Sequence, residues 1–166
     1  MFYENGGGSA LMVSWQAPGA DWAHLGGDIL TNAVGCGGMA VAAPAPPVTC
    51  DGNSLLFEAY VPGNTFAFTA LADIGATVFD ERWNSWDPLV QHRELEADIW
   101  YENDQAFVDE IPDFGEMDNF VMRWRGSLTV TTPGEYSFQT TSDDGSMVYI
   151  DRQLVVDNDG SREEKS

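Results

Sequence analysis

The sequence predicts an all-β protein of antiparallel strands, and three observations carry that expectation. Short segments alternate apolar and polar residues with a period of two. Turn-forming residues punctuate them at short spacing. In the last third of the chain no helical stretch intervenes between one such segment and the next. With 43% apolar and 12% aromatic residues among 166, there is enough material for a core, and wholesale disorder is not expected.

The elements follow in chain order. "ALMVSW" (10–15) alternates Leu11, Val13 and Trp15 and is ended by "APG". Residues 18–50, rich in Gly, Ala and Pro, read as a linker. "SLLFEAYV" (54–61) and "NTFAFTAL" (64–71) read as strands around the turn "PGN". Between residues 81 and 116, Trp83, Trp86, Trp100 and Phe107 are interleaved with carboxylates, which predicts long loops pinned by aromatics. One helical turn is expected within "DPLVQHRELEADI" (87–99). "NFVMRWRGSLTV" then sets Phe120, Met122 and Trp124 on one face and Val121, Arg123 and Arg125 on the other, with Gly126 marking a bulge or close approach. Pro133-Gly134 signals a type II turn, after which Tyr136 and Phe138 resume the alternation. An Asp-Asp-Gly turn, the strand "SMVYI", a turn at 151–153 and the short strand "LVV" complete the run.

Charge excludes several functions. The 27 acidic residues outnumber the 7 basic ones, for a net charge of −20, which repels nucleic acid and anionic lipid. Such a balance suits a protein kept soluble in high salt or one that gathers divalent cations. No apolar run reaches the ~18–20 residues of a membrane helix, so membrane insertion is not expected. The start shows no signal-peptide pattern, so Met1 reads as an internal residue of a longer chain. Two thiols with only His24 and His92 elsewhere make a poor metal site. Cys36 and Cys50 read as a disulfide closing the loop "CGGMAVAAPAPPVTC", with free buried thiols as the alternative.

Residues 118–160, "DNFVMRWRGSLTVTTPGEYSFQTTSDDGSMVYIDRQLVVDNDG", resemble the central block of the protective-antigen-type (PA-14) domain family. The shared features are an aromatic-Arg-Trp-x-Gly strand, Tyr-x-Phe after a turn, Ser-Asp-Asp-Gly, and an apolar strand ending in Ile-Asp. Arg152 departs from the family's usual Gly, and a longer or less tight turn is expected there. Residues 2–15, "FYENGGGSALMVSW", resemble the closing hairpin of the same family, displaced to the front of the chain. The resemblance implies a two-sheet β-sandwich with irregular acidic loops. It divides the chain into a closing hairpin of a preceding or swapped domain (1–17), a linker with a disulfide-closed loop (18–51), and a domain lacking its last strands (52–166). A window on a tandem array is the reading adopted, over a fragment of a large protein or subunits exchanging strands. Whether residues 2–15 pair within their own chain or with another is open at this point.

The resemblance also names a site. In carbohydrate-binding members the paired Asp, joined by a cis peptide, ligates Ca²⁺, which binds sugar hydroxyls; here that pair is Asp143 and Asp144. Two carboxylates aimed at one point are tolerable beside a hard cation that takes six to eight oxygens. The plainer alternative is a hairpin turn with Asp144-Gly145 in type I′ geometry. Asn5, in the displaced loop, is a candidate additional ligand, and Trp83 and Trp86 are candidates for stacking on sugar rings. "DNDG" (157–160) fails the EF-hand pattern, since Val155 and Ser166 would occupy its first and twelfth positions, and reads as a turn. "GGGSAL" lacks the Lys-Ser/Thr of a phosphate loop. No nucleophile–base arrangement is recognisable, so no catalysis is expected. The expected function is a secreted or cell-surface, non-catalytic module for Ca²⁺-dependent carbohydrate binding and adhesion, with a glycan as partner. The alternative is a structural repeat of an extracellular fibre or stalk, a homo-polymer joined to neighbouring modules of the same kind through shared sheet edges.

Overall fold

The computed structural model describes residues 1–4, 8–26, 30–31, 55–60, 71, 90–95, 98–111, 113–115 and 118–160. In chain order the elements begin with β1 (Phe2–Glu4), β2 (Ala10–Gln16), β3 (Ala23–His24), β4 (Leu30–Thr31), β5 (Leu55–Tyr60), β6 (Val90–Leu95) and β7 (Trp100–Tyr101). The helix α1 (Asp104–Glu110) follows, then β8 (Phe120–Arg125), β9 (Ser127–Leu128), β10 (Ser137–Asp143), β11 (Ser146–Ile150) and β12 (Gln153–Asn158). All strand pairs are antiparallel, and they form the two layers of a sandwich. The larger sheet runs β12-β11-β1-β8-β5-β6. The smaller runs β10-β2-β3, with β7 also on β2, and β4 and β9 form a separate ribbon.

Residues 2–16 supply one strand to each layer, within their own chain. β1 lies between β8 and β11, with Phe2 opposite both Met122 and Ser146. β2 pairs with β10 over its full length, from Gln16↔Ser137 to Ala10↔Asp143. Period-two alternation turns Leu11 and Val13 inward, where they meet Phe2, Phe57, Phe120 and Met122 of the larger sheet in one core. The aromatic rings organise that core. Phe2 stacks on Phe107 at 5.4 Å, Phe107 on Tyr101 at 4.5 Å, and Phe114 meets Phe120 edge-on at 5.1 Å. Each such ring buries roughly 150–250 Å² and adds directional contact beyond area alone.

Among the described residues of 87–99 the expected helical turn does not occur. Residues 90–95 are strand β6, paired with β5, and the helix comes later, at 104–110. Its cause is local: the Asn103 side chain accepts from the Ala106 N–H at 3.1 Å as N-cap, and Asp104 places an acid in the first turn. Phe107 and Ile111, four apart, turn one face into the core. The stretch read as linker also contains structure, since Ala23–His24 pairs with β2 and Leu30–Thr31 with β9. The turn at 151–152 is tighter than Arg152 suggested. Asp151 and Arg152 have φ of 49° and 66°, and Ile150 pairs directly with Gln153, as in a two-residue type I′ hairpin. The strand read at 64–71 and the disulfide read at Cys36 and Cys50 lie outside the described residues, apart from Leu71.

β8 is buried on both faces. Opposite its aromatic face, Arg123 (2% exposed) forms an ion pair with Glu58 (1%), its cross-strand neighbour on β5. Arg123 Nε donates to Glu58 Oε2 at 2.8 Å, and Arg125 Nη2 donates to Oε1 at 3.2 Å. Arg123 Nη2 also reaches the Tyr60 hydroxyl at 3.3 Å. One carboxylate thus serves two guanidiniums away from water. Removing it strands buried positive charge, so Glu58→Ala should cost about 3–5 kcal/mol in urea denaturation. A loss below about 1 kcal/mol would contradict this account.

The Tyr101 hydroxyl is buried with no hydrogen bond of good geometry among the described residues, as is Trp124 Nε1 beside it. Burial, then the charge of Glu110, raises the Tyr101 pKa well above its ordinary 10.0. A raised folded value means that the contribution to stability is whole below pH 10 and falls away as pH climbs above it. Stability should therefore decline above about pH 10, and Tyr101→Phe should blunt that decline while changing neutral-pH stability little. Urea titrations at pH 7 and 10.5 test both halves.

Candidate functional site

Asp143 closes β10, and Ser146 opens β11. Those two strands belong to different sheets, so Asp144 and Gly145 carry the chain from one layer of the sandwich to the other. The hairpin-turn reading of Asp-Asp-Gly is thereby corrected: the two strands do not pair, and neither Asp144 nor Gly145 has the positive φ that a type I′ turn requires. The Asp143–Asp144 peptide bond is cis. Asp144 is 5% exposed, while Asp143 is half-buried.

Small polar side chains fasten this crossing from beneath. Ser142 Oγ donates to the Asp144 carbonyl at 2.9 Å and lies 2.7 Å from Ser146 Oγ. Ser146, fully buried, donates to Thr140 Oγ1 at 2.9 Å. Asn158 Nδ2, at the end of β12, donates to Ser142 Oγ at 2.9 Å. Thr140 and Ser142 belong to the smaller sheet, Ser146 and Asn158 to the larger, so the network ties the layers together at the corner that carries the acid pair. Buried hydroxyls and amides joined in this way are stable only because each has partners.

Strand register brings the end of β1 and the start of β2 to the same corner. Phe2 pairs with Ser146 and Ala10 with Asp143, so the connection from Glu4 to Ala10 begins and ends beside the crossing. Its far end is anchored, because Ser9 N and Oγ both donate to Asp104 Oδ1, at 2.5 and 2.6 Å. Asn5 itself lies outside the described residues, as do Trp83, Trp86, Cys36 and Cys50. Among the described residues no group of three or more His, Cys, Asp or Glu is placed to hold a metal. The two carboxylates at the crossing are nonetheless of the right chemistry for a hard cation.

In "DNDG" the carboxylates act as turn acceptors. Asp157 Oδ1 accepts from the Asp159 N–H at 3.2 Å, and Asp159 Oδ1 accepts from Gly160 and Leu71 at 2.9 and 2.5 Å. Thr140, Ser142 and Ser146 stand close around the acid pair in the sequence, yet nothing local marks them as a network. Asn158 joins them only through the folded register.

The family described as the PA14 domain matches residues 77–166, more than half of the chain, including β6 through β12 and the acid pair. No curated protein matches the chain, and no solved structure does.

Ser142 is the hub of the network. Ser142→Ala removes three of its contacts at once and should destabilise by about 1–3 kcal/mol. Gln153→Ala, at an exposed position, should stay within about 0.5 kcal/mol. Parallel urea denaturation curves check the contrast.

Proposed function

This chain belongs to the PA14 domain family, a family of carbohydrate-binding and adhesion-type modules, and on that premise we propose that it is a non-catalytic extracellular module that binds carbohydrate through Ca²⁺ at Asp143 and Asp144. One observation carries the reading. The acid pair is not a solvated hairpin tip but a fixed, partly buried crossing between sheets, with the Glu4–Ala10 connection ending alongside it. Adjacent carboxylates held in this way favour a divalent cation over mutual repulsion. Asp143 and Asp144 would hold the ion, with Asn5 as a candidate amide oxygen from the neighbouring loop. A bound Ca²⁺ supplies coordination positions that vicinal sugar hydroxyls can occupy. Trp83 and Trp86 are the candidates for stacking on the sugar ring. A secreted setting agrees with the family's usual context. The net charge of −20 argues against nucleic acid as partner.

A second reading, a structural repeat of a fibre or stalk built by sharing sheet edges, rests on a different observation. β12 ends the larger sheet, and Leu154 and Val155 on it are 44% and 46% exposed. An apolar strand edge that pairs with no other strand among the described residues is a surface that neighbouring modules could cover.

Isothermal titration with Ca²⁺ in physiological salt, on the chain and on an Asp143→Asn/Asp144→Asn double variant, separates the two. Stoichiometric binding that the variant loses, followed by Ca²⁺-dependent retention on a glycan array, is the expected result. Weak, diffuse binding unchanged in the variant would sink the calcium reading and favour the structural one.

A further inference from the structure

The outward face of the smaller sheet carries a ring pair that neither reading above uses. β10 lies along one edge of β2 over its full length, and β3 and β7 share the other. The two short strands meet at Val13: its N–H donates to the Ile99 carbonyl, and its carbonyl accepts from the Leu25 N–H, both at 2.9 Å. The Ile99 N–H donates in turn to the Leu25 carbonyl at 3.2 Å. Leu25 and Tyr101 turn into the core, so period two turns His24 and Trp100 outward, opposite Ser14 and Met12. Their rings stack at 3.6 Å with 12° between the planes. Trp100 Nε1 donates to Glu102 Oε1 at 3.2 Å, and His24 Nδ1 lies 3.9 Å from Asp98 Oδ2, so a carboxylate flanks each ring. The His24 side chain is nonetheless 47% exposed, and Trp22, two residues before it, is 46% exposed.

The rest of this face is polar and uncharged. Period two turns Ser137, Gln139 and Thr141 of β10 outward, since Phe138 and Thr140 face the larger sheet. It does the same for Met12, Ser14 and Gln16 of β2, whose neighbours Leu11 and Val13 are buried. Up to Thr141 the two strands therefore put no Asp, Glu, Lys or Arg on this face, in a chain with 27 acidic residues. An ionic ligand finds no counter-charge on it, and an anionic one is repelled by the net charge of −20 as well. Hydroxyls do find partners, because Ser, Thr and Gln side chains both donate and accept. Each ring of the stack also keeps one flat apolar face that the other does not cover. Neutral sugars match both features, with hydroxyls around their rings and C–H groups on their faces. A protein partner would call for an apolar centre, and here only Met12 and the ring pair could supply one. The outward row of β10 ends at Asp143, about 12 Å from Trp100 by strand spacing and rise, so the face runs into the acid-pair corner.

We infer that the outward face of the smaller sheet is a second, calcium-independent carbohydrate site. A neutral polysaccharide chain lies across β10, β2 and the β3–β7 edge, its sugar rings packed against His24 and Trp100 and its hydroxyls bonded by Ser14, Gln139 and Thr141. Two strand spacings make the platform about 10 Å wide, and the length of β10 makes it ~20 Å long. That is larger than one sugar ring, so the face takes several linked units rather than a terminal one. The ring pair is stacked before any ligand arrives, which leaves little side-chain freedom to be lost on binding. The site uses no metal, so it stands whether or not the acid pair holds Ca²⁺.

Affinity electrophoresis tests this, with the chain run through gels holding a β-glucan, an α-mannan or a xyloglucan, polygalacturonate as the acidic control, and EDTA throughout. At least one neutral polymer should retard the chain, and polygalacturonate should not. Trp100→Ala should weaken that retardation about tenfold or more, while Trp100→Phe keeps most of it. Gln139→Ala/Thr141→Ala, at exposed positions away from the core, should weaken it several-fold. Urea midpoints check that each variant folds, and the double variant carries the test alone if Trp100→Ala does not. No retardation by any of the three neutral polymers, equal retardation of the parent and the double variant, or a preference for polygalacturonate would overturn the proposal. Retardation that appears only when Ca²⁺ replaces EDTA would assign the sugar to the acid pair alone and overturn it too. Because EDTA removes Ca²⁺, failure here leaves the calcium reading standing, and failure of that reading leaves this test untouched.

Discussion

Three residues hold the larger sheet in one piece. Phe2–Glu4 is the sole contact, among the described strands, between the β12–β11 pair and the β8–β5–β6 group. Its backbone is committed on both edges, and the ring of Phe2 is buried in the stack with Phe107 and Phe120. The next strand along the chain, β2, is the centre of the smaller sheet. One short segment therefore organises both layers, and the position of the acid pair follows, because the partners of Phe2 and Ala10 are the residues that bracket the crossing.

The crossing and the buried ion pair meet one requirement in different ways. A sandwich of this size must fix how its layers sit, and apolar packing alone is permissive about sliding. At the Asp143–Asp144 corner, Ser142, Ser146, Thr140 and Asn158 supply directional bonds across the layers. Within the larger sheet, Glu58 opposite Arg123 and within reach of Arg125 fixes the register of β5 against β8, because a slip of one residue would bury the charges without partners.

Much of the all-β architecture could be read from residues because its signals are local. β8, β10, β11 and β12 each announce themselves by alternation and by the turn residues between them. The helix was missed because it is only seven residues long and sits in an acid-rich run, where Asn103 as cap and the Phe107–Ile111 spacing were its only marks. β6 was misread for the opposite reason. "VQHREL" has little strand character of its own, and its conformation is set by pairing with β5. Asp-Asp-Gly has the same composition whether it closes a hairpin or crosses between sheets, so that distinction lies only in which strands pair. The meeting of Glu58 and Arg123 likewise needs a register between segments 65 residues apart, which no local pattern encodes.

The pairing of Phe2 with Ser146 also dictates an order of events during synthesis. β1 and β2 leave the ribosome well ahead of β8, β10 and β11, the strands that flank them, which come more than a hundred residues later. Until then β1 has no partner and β2 only the short β3 and β7, and loop closure over so long a span delays their docking further. The two sheets are thus assembled around β1 and β2, which cannot be used until nearly the last of these strands is made. A nascent chain stalled before residue 146 would expose Phe2, Leu11 and Val13 together, a natural target for chaperones that hold unpaired apolar strands.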